Sequence, residues 1–285
     1  MYIATQDKPF FPIGLKEKFA AVKEMGFDAF EIDGRLLLEN PAQVKEAMIA
    51  AGLPVLTVCG GYTGWIGDFS DDKRRACLKE ISEILSISGS LGISGIVVPA
   101  AWGMFSLRLP PMTPPRSAAC DRKVLLDSLS FLDKAAGKTG TKIFIEPLNR
   151  YENHMILRVE EAASLILEGG FAHVMVAADF FHMNIEEARI EKTLDSFAPH
   201  IGHIHLASSQ RLQPGAGHLD YLPGFASLRK NGYDGGFCFE CRVEGDDPAG
   251  AYRQSLSLIR LCLEKAGYPI TKHGQLSGYS VPNPG

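Results

Sequence analysis

Four residues able to hold a hard cation or move a proton fall at matching places along the chain. Glu146, Asp179, His205 and Glu240 lie at or just past the ends of short apolar runs: Lys142 to Glu146, Val174 to Ala178, Ile201 to Leu206 and Gly236 to Glu240. One ionisable group at such a place is ordinarily an ion pair or a polar cap. Four on consecutive runs are a different matter. Three carboxylates gathered at one level repel one another, so they demand either strongly raised pKa values or a bound divalent cation. The cation is the simpler solution. Three oxygen donors and one imidazole make a hard site that favours one divalent ion, Mn2+ first and Mg2+ or Co2+ after it, over thiolate-rich zinc chemistry.

Such residues meet only if the runs are neighbouring strands that open on one face, and the chain repeats the grammar this needs. Leu15, Phe19 and Val22 recur at helical spacing, and Gly26 follows as a left-handed cap before Phe27 to Ile32. Asn40 is the predicted cap and Pro41 the first residue of a helix carrying Val44, Ala47, Met48 and Ala51; Gly52 ends it before Pro54 to Val58. Gly92, Gly140, Gly169-Gly170 and Gly232 precede four further runs, the first at Gly95 to Val98. With Tyr2 to Thr5 and Ile201 to Leu206 the strands number eight. Eight βα alternations in about 250 residues predict an α/β protein, a single (β/α)8 barrel. No G-x-G-x-x-G follows the first strand to favour an open dinucleotide-binding sheet. The barrel is expected over residues 1–267, with a Gly-, Pro- and Ser-rich tail over 268–285 and a loop at Pro110 to Pro115 after the fourth strand. In this architecture catalytic groups come from the carboxyl ends of the strands.

Composition narrows the partner. The 285 residues are 46% hydrophobic and 22% charged, which excludes disorder and coiled coil as the main architecture. Lys plus Arg total 29 against 33 Asp plus Glu, a net charge of −4, so no nucleic-acid partner is expected and a small polar molecule is. The first residues lack a signal-peptide pattern, and no run reaches the roughly 18 apolar residues of a membrane helix. The expectation is a cytoplasmic protein with no membrane contact. Six cysteines are too sparse for a disulfide scaffold, and the Cys238-x-x-Cys241 pair sits in a strand-like run, so both read as core residues.

The stretches Ile145 to Glu152 (IEPLNRYE), Asp179 to Asn184 (DFFHMN), His203 to Ala207 (HIHLA), Arg211 to Asp220 (RLQPGAGHLD) and Phe239 to Arg242 (FECR) carry a resemblance. The chain is similar to the xylose isomerase-like TIM-barrel sugar isomerases and epimerases. Within them it most resembles the D-tagatose 3-epimerase group of ketose 3-epimerases, chiefly from Lys142 to Val243. The resemblance implies Glu146, Asp179, His205 and Glu240 as ligands to one divalent ion. It implies Glu152, His182 and Arg211 as substrate contacts, and a homodimer or homotetramer. Phe180, where relatives often have Thr, and Ser208 and Gln210, in place of an Asp and an Asn, depart from the pattern beside the expected substrate.

The chemistry of the residues agrees. Three carboxylates carry −3, and a divalent ion leaves −1, which suits a neutral sugar better than a polyanion. A 2-ketose that offers O2 and O3 to the cation has an acidified C3 proton, because the enediolate is stabilised. Glu146 and Glu240, on strands separated by two others, then serve as the catalytic base and acid on opposite faces and invert the carbon. The expected function is a metal-dependent ketose 3-epimerase for a free ketohexose or ketopentose of D-tagatose, D-psicose or L-ribulose type. An inosose dehydratase-type lyase and a hydroxypyruvate-type aldose-ketose isomerase are the alternatives on the same metal site. A non-catalytic sugar-binding barrel gains nothing from two opposed bases. A three-zinc endonuclease wants histidines where Asp33 and Gly60-Gly61 stand. Glu152 either touches substrate or orients an Arg or His. His203, alternating with His205, reads as an inward residue behind it; Trp65, Trp102 and Phe105 read as loop packing, and His154 and His218 carry no assigned role.

Overall fold

The computed structural model describes residues 1–107 and 112–269, so part of the predicted 110–115 loop and most of the predicted tail lie outside the described residues. In chain order the elements are β1 (Ile3–Thr5), α1 (Leu15–Met25), β2 (Ala29–Asp33), α2 (Gly34–Glu39), α3 (Pro41–Ala51), β3 (Val55–Cys59), α4 (Asp71–Leu91), β4 (Gly95–Pro99) and α5 (Ala118–Thr139). There follow β5 (Lys142–Glu146), α6 (Val159–Gly169), β6 (Val174–Asp179), α7 (Phe180–Glu186), α8 (Ile190–Phe197), β7 (Ile201–Leu206), α9 (Leu222–Lys230), β8 (Gly236–Phe239) and α10 (Pro248–Lys265). The strands form a closed parallel barrel in sequence order, β8 pairing back onto β1. The (β/α)8 TIM barrel expected from the alternation is the observed fold.

Helix ends follow the glycines. Gly26, Gly52, Gly92, Gly140 and Gly170 all cap helices in the left-handed conformation that side chains disfavour. Asn40 corrects the expectation in one respect. It stands at the start of α3, but its side chain donates backwards to the Leu36 carbonyl at 3.3 Å and accepts nothing from the new helix.

Two cores result from the two-residue alternation of the strands. Outward residues such as Ile32, Val58, Ile96, Ile145, Ile204 and Phe237 meet the apolar faces of the helices. The barrel interior is instead lined by small or polar groups: Ala4, Ala29 and Cys238 pack together, Val97, Phe144 and Ala177 make a second cluster, and Glu31, Thr57, His203 and His205 lie buried among them. Cys238 and Cys241 are free and buried, as the core reading requires. Tyr268 is buried against Phe237, their ring centroids 5.9 Å apart.

Candidate active site and metal centre

The inward alternation that puts Phe144, Ala177, His203 and Cys238 inside the barrel carries on to Glu146, Asp179, His205 and Glu240 two residues later. Glu146 and Asp179 close β5 and β6, His205 is the last residue but one of β7, and Glu240 follows β8. Pairing of Asp179 with His205 sets two of them side by side. Ligand-capable atoms of all four lie within 4.8 Å of one another, three of the residues buried and Glu240 half-buried. The expected cluster is therefore assembled at the carboxyl end of the barrel.

His205 is its centre. Nδ1 stands 2.9 Å from Glu146 Oε1 and 2.6 Å from Glu240 Oε2. On the ring's other side Nε2 donates to Glu31, 3.1 Å from Oε1. Burial opposes a charge on this ring, but the carboxylates of Glu240, Glu31 and Glu146 outweigh it and raise the imidazole well above its ordinary value. The two glutamates that flank Nδ1 are pushed apart. Burial, then repulsion from Glu240, raises the Glu146 carboxyl to about 7. Burial also works against ionisation of Glu240, yet Arg211 and His205 hold it below the usual carboxylate range. Such a split is how one site keeps an acid and a base side by side.

Arg211 enters from the loop after β7. It is the only described residue other than glycine with a positive φ, 60°, and its guanidinium reaches the carboxylates of the cluster. One nitrogen pairs with Asp179 Oδ2, another with Glu240 Oε2 at 2.6 Å, and the group lies over the Phe181 ring at 5.0 Å. His182 is buried on α7. Its Nδ1 accepts from the Asn149 backbone N–H at 3.2 Å, so in the neutral form Nε2 carries the hydrogen, 3.8 Å from Asp179 Oδ2. Burial lowers its pKa, keeping it neutral.

Glu152 does not reach this group directly. It accepts from Asn149 Nδ2 at 2.8 Å and Trp102 Nε1 at 2.9 Å. Asn149 in turn contacts His182, so Glu152 orients a histidine at one remove. The other expectations sort plainly. Trp65 and Trp102 meet edge to face, their ring centroids 6.4 Å apart, but Trp102 remains exposed. His154 pairs with Asp121 at 3.1 Å and lies beside Phe105, and exposed His218 bonds Ser209. Asp33 starts α2 by accepting the Leu36 amide. Phe180 is a correction: it is buried against Tyr221 and Phe225 in the helix layer, not beside the site.

Glu31 and Asn149 were not singled out in the sequence. Glu31 sits inside an apolar strand at inward parity, and that parity is the signal that would have found it. The donor set of three carboxylates and one backed imidazole, buried and convergent, fits one hard divalent cation.

Residues 19–262 match the family model described as xylose isomerase-like TIM barrel. A 3-dehydro-D-guloside 4-epimerase of Escherichia coli (strain K12) is 50% identical over 262 residues, 92% of this chain and 100% of that protein. The apo crystal structure of the 3-keto-D-glucoside 4-epimerase YcjR from E. coli superposes with a TM-score of 0.90 at 50% identity, over 92% of this chain and 100% of that one. A D-psicose 3-epimerase of Enterocloster bolteae is 29% identical over 246 residues, 84% of this chain and 80% of that protein. The resemblance to this superfamily holds, while the narrower one, to ketose 3-epimerases, is weaker than that to the 4-epimerase. The chain belongs to the xylose isomerase-like TIM-barrel family and is, within it, a sugar epimerase, an isomerase acting on carbohydrates.

Proposed function

We propose that this enzyme inverts C4 of a 3-keto (3-dehydro) glycoside. The full-length likeness to a 3-dehydro-D-guloside 4-epimerase, 50% over 262 residues, is the observation that carries the choice of substrate. The chemistry is that expected for a ketose 3-epimerase moved along the sugar. C4 stands to the C3 ketone of the glycoside as C3 stands to the C2 ketone of a 2-ketose, and either proton is acidified by its neighbouring carbonyl. Glu146, Asp179, His205 and Glu240 would hold the cation, Mn2+ by the hardness of the donors. When bound, it supplies fixed positive charge beside the keto oxygen and so favours the enediolate.

The chain's own residues do the rest. Glu240, paired with Arg211, would take the C4 proton, and Glu146, beside it on the other side of His205 Nδ1, would return one to the other face. In the reverse direction the roles exchange. Arg211, and His182 through its Nε2–H, would hold substrate oxygens; Glu152 and Asn149 would fix the His182 ring.

The free-ketose reaction is the second reading, supported by the 29% likeness to a D-psicose 3-epimerase. A panel of methyl 3-keto-glucosides, D-psicose, D-tagatose and L-ribulose, followed by NMR with Mn2+ present, decides between them. The 4-epimerase reading expects kcat/KM for the keto-glycoside to exceed that for every free ketose. Faster inversion of C3 in a free ketose would replace it with the second reading.

A further inference from the structure

We infer that Glu31 is the positioning residue of the metal centre: from β2, outside the ligand set, it fixes the His205 ring so that Nδ1 faces the cation site. The inference rests on the metal-site reading and not on the identity of the sugar. The Glu31 side chain is wholly buried inside the barrel. Its oxygens accept from His205 Nε2 at 3.1 and 3.3 Å, His203 Nε2 at 2.9 Å, Gln6 Nε2 at 2.9 Å, and Thr57 Oγ1. These donors come from the segment after β1, from β3 and from β7. A carboxylate bonded on four sides cannot turn without stranding a buried donor.

An ionised carboxylate only accepts, so His205 Nε2 must carry a hydrogen. That leaves Nδ1, which lies 2.9 Å from Glu146 and 2.6 Å from Glu240, as the nitrogen that would give its lone pair to a cation in place of the hydrogen it shares with these carboxylates. The negative charge behind the ring also makes it the stronger donor, the effect of an outer carboxylate on a ligating histidine. His203 supplies the contrast. It bonds the same carboxylate from the same strand but lies one inward step deeper, below the level of the ligands. Glu31, His203 and His205 together offer a rival arrangement, a second cation between them. That set offers a hard cation one carboxylate against the three of the other cluster, and this carboxylate also accepts from Gln6 and Thr57.

The test uses the full chain with metal ions alone. Mn2+ binding is read from the EPR signal of the free ion, for wild type and Glu31→Gln. The histidine tautomers are read by NMR on 15N-histidine-labelled wild type with Mg2+. One Mn2+ per wild-type chain is expected, with about ten- to hundredfold weaker binding in a Glu31→Gln variant whose circular dichroism is unchanged. With Mg2+ bound, His205 should keep hydrogen on Nε2 and none on Nδ1. Hydrogen on Nδ1 with Mg2+ bound, wild-type Mn2+ affinity in the folded variant, two Mn2+ per chain, or none would each overturn the inference. If Glu31→Gln fails to fold, the wild-type tautomer decides. Since no sugar is present, failure here is distinguishable from failure of the substrate reading.

Discussion

Asp179 joins structure to chemistry within one carboxylate. Its Oδ1 accepts the Phe181 amide at 2.7 Å and so starts α7, while Oδ2 faces Arg211 and the other ligands. Asp179→Ala should be purified without metal, whereas Asp179→Asn, which keeps the helix cap, should fold normally and bind metal weakly. Elemental analysis beside a thermal melt checks both, and a metal-replete Asp179→Ala would remove it from the ligand set. Arg211→Ala and His182→Ala should retain the cation and lose about 1–3 kcal/mol of transition-state stabilisation in kcat/KM, the usual cost of deleting a charged or polar contact. Loss of metal in either would make it part of the metal centre. The cluster of Glu146, Asp179, His205 and Glu240 was legible in the sequence because strand ends in a barrel share one face. Glu152 was legible only as a choice, since nothing local tells that Asn149 and Trp102 are its partners. Glu31 was hidden because a lone carboxylate in an apolar strand acquires meaning only from residues on β3, on β7 and just past β1.

At the scale of elements, α7 has to sit where His182 can reach the ligands, and Glu186 anchors it. That carboxylate is almost fully buried and accepts from the Arg150 backbone N–H at 2.8 Å and from two guanidinium nitrogens at 2.9 Å, tying α7 to the loop after β5. Burial alone would raise its pKa, but the Arg150 bonds more than offset this and lower it. The folded value therefore lies below the unfolded one. The stabilisation is complete above the unfolded value, about 4.3, and is lost as pH falls through the folded value. Urea midpoints should show wild type more stable than Glu186→Gln at pH 7, the gap closing below about pH 4; a gap independent of pH would mean that the charge contributes nothing. Gly61, just past β3, makes a second element-scale case. Its φ is +77°, and a Cβ would come within 2.4 Å of the Arg35 and Gly34 amide nitrogens, so Gly61→Ala should destabilise the fold by about 1–3 kcal/mol. An unchanged melting temperature would contradict this. The helices α1 and α3 were readable from apolar periodicity and their glycine caps, and the strands from apolar runs, six of them after a glycine. The helices α2 and α7 were not, because each follows its strand directly, capped by the strand's own last Asp, and is too short at 6 and 7 residues to display a period.

Across the whole molecule, two levels of the barrel serve different ends. Small and polar interior residues leave room for Glu31 and the two histidines, and the layer above them gathers charges that no apolar core could hold. The proposed removal of the C4 proton by Glu240 and return of another by Glu146 has an isotopic consequence that the alternatives to it lack. A carboxyl proton exchanges with water between turnovers, so inversion of methyl 3-keto-glucoside in D2O should place one solvent deuterium on C4 of the product. A hydride shift carries the original hydrogen along. The most direct measurement is NMR of the product formed in a single passage in D2O with the Mn2+ enzyme, beside Glu240→Gln carrying the same metal. The account predicts deuterium at C4 with wild type and no inversion with the variant; a C4-inverted product that keeps its protium would contradict it.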